Sequence, residues 1–430
     1  MTTTWSKLIC RAEKLLGGPA PFINLSSILS SEAGSLASRA RRLAGNVDHP
    51  FFSTVRSCLR GKSVNNLFSI SSTLSDRFSA SVTSERPSGG LIVLLVGQSY
   101  TSPTNSTKLY SQHRSISEIF ETVHTAVAIH KSLVDLNDLH QNTGDNDESW
   151  LKNMEICNKL ATLSGDVLLA SVSTSLAELH HDKVVDVISE AIGNMIEAEF
   201  HELATNANLE TININSVVTK WLSFVQLSRG ALLGSCCEAA LHLTEKHITN
   251  LSAIPTDKIY PDWNNLSSIV KRFGSTWACL TRLTEEREHI QRTWSTDQTA
   301  DAYWSTKKEM RCSKRNIFAY HPSVIPHYSE FGLNEPTFAD ALLTSLSLSR
   351  TRYKLIDVID KILSEYNQIG CELAEKLREY FTLIVLNSEQ CSTYSYTNPY
   401  HTQKTTKYSP STELLGEMVD KLISDCNCSP

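Results

Sequence analysis

Along nearly the whole chain, apolar positions recur at three- and four-residue intervals rather than alternating, the spacing that puts one stripe on a helix. The clearest case predicts a helix from Ser115 to Leu139, with Ile116, Ile119, Phe120, Val123, Val127 and Val134 on one face. Ser115 followed by Glu118 has the form of a capping box at its start. Two more long apolar helices are expected over Lys159–Glu178 and His181–Leu203. A final amphipathic piece, Thr412–Ile423, is expected to dock on the surface or on a partner. Polar, turn-rich stretches at Tyr100–Gln112, Asn142–Ser149 and Ser392–Ser411 read as loops or insertions. The organisation is therefore one all-α helical domain over 1–390, then a polar loop and C-terminal helix over 391–430.

Composition narrows the function classes. With 17 Gly and 13 Pro in 430 residues, a strand-and-turn architecture is disfavoured, and 41% hydrophobic residues suffice for a large core. Forty Lys and Arg against 46 Asp and Glu leave a formal charge of -6, with no basic surplus to neutralise a nucleic-acid backbone. The run from Leu91 to Gly97 is far short of the ~20 apolar residues of a spanning helix, so an integral membrane protein is not expected. The eleven cysteines are irregularly spaced, and adjacent Cys236 and Cys237 in an Ala/Leu-rich stretch read as buried, reduced thiols. The opening residues carry Lys7, Arg11 and Lys14 on an amphipathic pattern, but Glu13 intrudes and the segment is brief for a transit peptide.

Two ordered motifs carry chemistry. ETVHTAVAIHKSLVDLNDLH, Glu121–His140, resembles the first aspartate-rich helix of the trans-prenyl-diphosphate synthases, matched at His124, Thr125, Ala126 and His130. CNKLATLSGDVLLASV follows at the family's separation and resembles its G-N-K-x-A-x-L-x-G-D-x-L-L-A helix, matched at Asn158, Lys159, Ala161, Leu163, Gly165, Asp166, Leu168, Leu169 and Ala170. LSRGALLGSCCEAA, Leu227–Ala240, is similar to a later helix, and FGSTWACLTRLTEE faintly resembles the stretch that leads into the second aspartate motif. Three further patterns resemble the non-catalytic subunit of heteromeric members: Ala12–Gly17, Arg41-x-Leu43-x-Gly45-x-x-x-His49-Pro50, and Gly90–Leu95. The resemblance implies an isoprenoid-synthase-type helical bundle.

Ionising an allylic diphosphate needs magnesium held by carboxylates to stabilise the departing pyrophosphate. Where the family has its first two aspartates this chain has Lys131 and Ser132, after His130 and before Asp135. The second motif aligns with Glu285 and Glu286, followed by Arg287, Glu288 and His289. Of the family's basic diphosphate contacts, the candidates that remain are Arg86 and Arg229, the second beside Ser228 in place of a Lys-Thr pair. His124 and His130 lie six residues apart, about 240° around a helix, and so share no face for a metal.

By resemblance, the chain is then a subunit without catalytic residues or metal of its own. It would associate with a catalytic trans-prenyl-diphosphate synthase that holds Mg²⁺, in a mitochondrial hetero-oligomer, a heterotetramer, making the ubiquinone side chain. Lys159–Leu179 is the expected contact region. Two rivals stay open: an active prenyltransferase that uses Glu285, Glu286, Asp135 and Asp138 as its metal set, and a helical adaptor unrelated to isoprenoids.

Overall fold

The computed structural model describes residues 4–18, 49, 51, 54, 86–100, 107–134, 136, 148–198, 214–251, 262–294, 352–392 and 409–426. Ten α-helices carry these residues: α1 (Trp5–Leu15), α2 (Gly89–Ser99), α3 (Thr107–His130), α4 (Glu148–Glu178), α5 (Asp182–Ala198), α6 (Ile214–Val225), α7 (Ala231–Leu251), α8 (Trp263–Trp294), α9 (Arg352–Ser392) and α10 (Pro410–Asp425). A π-helical turn, Gln226–Gly230, joins α6 to α7. The all-α expectation holds for the described residues.

The apolar run that looked too short to span a membrane is the centre of the molecule. Ser88 caps α2 by accepting a hydrogen bond from the Leu91 amide, and Leu91 through Val96 are all buried, so the helix is apolar on every side. Around it pack α3, α7 and α10. The α7–α8 crossing is close because two glycines meet there: a Cβ on Gly274 would lie 2.9 Å from the Gly234 Cα. Cys236 and Cys237 sit fully buried in α7, where burial pushes both thiols up from their ordinary range. They pack as small apolar side chains, as expected.

Several expected boundaries move. Helix α3 begins at Thr107, so 107–112 are helical rather than loop; 101–106, 137–147 and 393–408 lie outside the described residues. Ser115 is therefore no cap: its hydroxyl donates to the Ser111 carbonyl, and Glu118 pairs with Arg114 at 3.0 Å. Helix α4 starts at Glu148, earlier than its apolar periodicity indicated, and α5 covers the expected third helix as far as Ala198, with 199–203 outside the described residues. By length and composition alone, Ser149–Glu178 is apolar enough to cross a membrane, but it packs along α3. The C-terminal helix differs most. Ser409 caps it with Pro410 in its first turn, and Leu414, Leu415, Met418, Val419, Leu422 and Ile423 are buried. It docks on this chain's own α1 and α2, inside the same core, rather than on the surface.

Candidate functional site

The two degenerate motifs come from different elements and are held by different forces. Helix α3 does not run through the first motif; it stops at His130, leaving Lys131 and Ser132 in a turn. The termination is chemical. The Ser132 hydroxyl donates to the Ile129 carbonyl at 2.6 Å, and the Ser132 and Leu133 amides bond three residues back, to Ile129 and His130, tightening the last turn. Beyond it the Asn158 side chain seizes Val134 from both sides, accepting from its amide at 3.0 Å and donating to its carbonyl at 2.8 Å. His49 meets the same amide oxygen at 3.0 Å, and burial lowers its pKa to about 4. Asn158 and His49, noted only for resemblance, thus pin the chain that follows the motif.

His130 faces α4 at Gly165. Its Nε2 donates to the Thr162 carbonyl at 3.2 Å and lies 3.4 Å from Asp166, and a Cβ on Gly165 would sit 2.1 Å from that nitrogen. Glycine is needed here for close approach. His124 stacks on Phe120, ring centroids 6.1 Å apart, so both histidines are packing residues. The Lys131 ammonium lies 5.9 Å from the Phe224 ring centroid, a cation over an aromatic face on α6. Asp135 and Asp138 lie outside the described residues.

On α8 the second motif is a salt-bridge network. Arg282, only 3% exposed, donates to fully buried Glu286 at 2.8 Å and stands 3.7 Å from Glu285. Glu285 is also 3.9 Å from Arg229, which the π-helical turn presents toward α8. Arg86 pairs with Glu288. The two candidate diphosphate contacts, Arg86 and Arg229, are thus both matched to acids of the second motif. Over this network lies Tyr366 of α9, fully buried and stacked on Trp221 at 5.0 Å; burial, then the Glu286 charge, raises its hydroxyl pKa well above the ordinary value.

Sequence reasoning missed Arg282 and Tyr366, and named Arg287 without giving it a role. The Arg282–Glu286 spacing of four residues was the available signal, since such pairs meet on one helix face. Chemically, the donor set does not suit magnesium. A divalent cation needs carboxylate oxygens free to converge on it. Those of Glu285, Glu286 and Glu288 each already face a guanidinium, and no group of three or more metal-capable side chains forms among the described residues.

Residues 87–256 match the polyprenyl synthetase family model. This central segment is similar to polyprenyl synthetase sequence. The match takes in α2, the first motif, α4 and the π-helical turn, and it accords with the isoprenoid-synthase-type bundle expected from the motifs. The likeness to decaprenyl-diphosphate synthase subunit 2, carried by Ala12–Gly17, Arg41–Pro50 and Gly90–Leu95, holds: the chain is similar to all trans-polyprenyl-diphosphate synthase PDSS2 of Homo sapiens, 31% identical over 250 residues, 56% of this chain and 56% of that protein. The chain thus aligns with little more than half the length of that relative. It is also similar to a probable mitochondrial hexaprenyl pyrophosphate synthase of Neurospora crassa, 31% identical over 140 residues, 32% of this chain and 30% of that one. Among solved structures it resembles the apo form of an Arabidopsis medium/long-chain length prenyl pyrophosphate synthase, at 14% identity and TM-score 0.45, covering 93% of this chain and 99% of that one.

Proposed function

We propose that this chain is the non-catalytic, regulatory subunit of a heteromeric trans-polyprenyl-diphosphate synthase. The carrying observation is the second motif, in which Glu285, Glu286 and Glu288 are neutralised by Arg229, Arg282 and Arg86. Guanidinium groups stand where an elongating enzyme needs metal, and the first motif adds a cation at Lys131. The bundle is then kept for association, and Mg²⁺ belongs to the catalytic partner. The hexaprenyl relative named as mitochondrial supports the same compartment for this chain, and the proposed product of the complex is the ubiquinone side chain.

The surface of α4 supports a partner. Ile156, Leu163 and Val167 are 37%, 43% and 40% exposed on a helix otherwise packed mainly on α3, and they fall within about 40° of one line along it. Leu163 and Val167 lie inside the expected 159–179 contact region. Leu163→Asp places a charge at the centre of this stripe, and interfaces tolerate an unpaired buried charge poorly. Co-expression with the host's catalytic synthase and affinity capture tests the reading: the parent should co-purify and the variant, equally folded alone, should not. A parent that fails to capture the synthase would sink it.

A further inference from the structure

A cavity of about 340 Å³ opens at the corner between α4 and α5, a volume at the low end for small-molecule sites. It is far from both motifs: Lys246 on its wall lies about 22 Å along α7 from Ala231, next to the π-helical turn that carries Arg229. The chain turns here at His180, which adopts a left-handed φ of 49° between the end of α4 and the start of α5. Lys246 fixes the turn by donating to the His180 carbonyl at 2.9 Å, which uses one of its three N–H donors. His181 then stacks on His242 of α7, ring centroids 6.3 Å apart.

Basic side chains dominate the wall. His180, His181, Lys183, His242 and Lys246 stand against two acids, Asp182 and Glu245. Glu245 is engaged 3.3 Å from the Nδ1 of His242, whose Nε2 lies 3.9 Å from Glu238, so His242 is balanced within α7. His181 differs. Its Nδ1 is buried with no hydrogen-bond partner, a cost that a polar ligand in the cavity removes. Burial, then the nearby Lys246, His242 and Lys183, lower the pKa of this imidazole, and a hydrogen bond to the His242 backbone opposes them. The ring is therefore neutral at pH 7, and an anion beside Nδ1 favours its charged form.

We propose that this corner is a binding site for a tetrahedral oxyanion, either the free ion or the phosphate of a monoester, held by Lys246, Lys183 and the Nδ1 of His181. As the anion enters, Nδ1 takes a proton from solvent and donates it in a charge-assisted hydrogen bond. The site belongs to this chain whether or not it works as a subunit, so a failure to capture a synthase leaves it untouched.

Sulfate, inorganic phosphate and glycerol 3-phosphate are titrated calorimetrically into the full chain, with chloride holding ionic strength constant. Sulfate keeps one charge from about pH 8 to 6, so a change in its affinity over that range reports protonation of the protein. It should bind at least about fivefold more tightly at pH 6 than at pH 8, and His181→Asn should remove most of that difference. Lys246→Met should weaken all three anions about tenfold or more, and Lys246→Arg should restore them. Equal affinity for phosphate and its glycerol ester assigns the site to a phosphate monoester, and a preference for phosphate assigns it to the free ion; both support the proposal. No saturable binding of any of the three overturns it, as does binding that Lys246→Met leaves unchanged, which marks general attraction to surface charge. Should the Lys246 variants not fold, the unsubstituted chain decides: its His181 ring-nitrogen shifts should move to imidazolium values on adding sulfate at pH 7, and shifts that stay put overturn the proposal.

Discussion

On the proposed reading, the His130 end of α3 and the Arg282–Glu288 turn of α8 depart from a metal-binding pattern by opposite routes. At the first, the carboxylate positions are a lysine and a serine, and the backbone has been drawn out of the helix by neutral hydrogen bonds from Ser132 and Asn158. At the second, acids remain, but each has acquired an arginine. On that reading one end lacks the carboxylates and the other pairs them with internal cations. Aspartates introduced at 131 and 132 would therefore sit in a turn beyond the end of α3 rather than on the helix, and would leave the ion pairs of α8 unchanged.

The contrast predicts unequal sensitivity to mutation. Arg282→Met removes the guanidinium that faces the buried Glu286 carboxylate and should cost about 3–5 kcal/mol, read as a lower denaturant midpoint. Replacing both partners, with Arg282→Met and Glu286→Met, should recover most of that loss, because two apolar side chains need no counter-charge. A double variant no more stable than the single one would mean that the network is held by something other than this pair.

Acid should act next, through neutral groups. His49 beside Asn158 and His113, whose ring is held between Gln98 and the Ala240 carbonyl, are both buried with pKa values lowered to about 4 from 6.5. Above pH 6.5 each is neutral whether folded or unfolded and adds no pH dependence. Between pH 6.5 and 4 the unfolded chain takes up the protons, so stability falls with pH by up to about 3 kcal/mol for each residue. Denaturation curves from pH 7 to 4 check the slope, and His113→Gln should flatten it.

The smallest effect is expected at the first motif. Asn158→Ala removes two hydrogen bonds to Val134 and one to His49 and should cost about 2 kcal/mol, since water can reach part of the site. Amide exchange should quicken at Val134 while α8 stays protected. Equal loosening of both ends would erase the distinction between them.

How much of this was legible depends on the range of the interaction. Periodicity gives the buried face of α3, from Ile116 to Val123, because that pattern is local. It also carries the expectation past the true end of the helix, since Val134 is buried too, though by Asn158, 24 residues away, and not by continuing the helix. The amphipathic pattern of α10 shows that one face must be covered but not that α1 and α2 cover it. Asn158, Gly165 and Asp166 are readable as motif residues; that Gly165 clears room for the His130 ring is visible only in three dimensions. Arg229, which faces Glu285, and Arg86, which pairs with Glu288, lie outside α8 and leave no local trace, whereas Arg282, one turn from Glu286, did.

Turnover by the purified chain tests the central claim most directly. Given an allylic diphosphate, isopentenyl diphosphate and excess Mg²⁺, the chain alone should form only background polyprenyl product, and adding the catalytic synthase should bring product formation with the chain retained in the complex. Robust magnesium-dependent synthesis by the chain alone would show that the arginine-filled site is an active one and contradict the account.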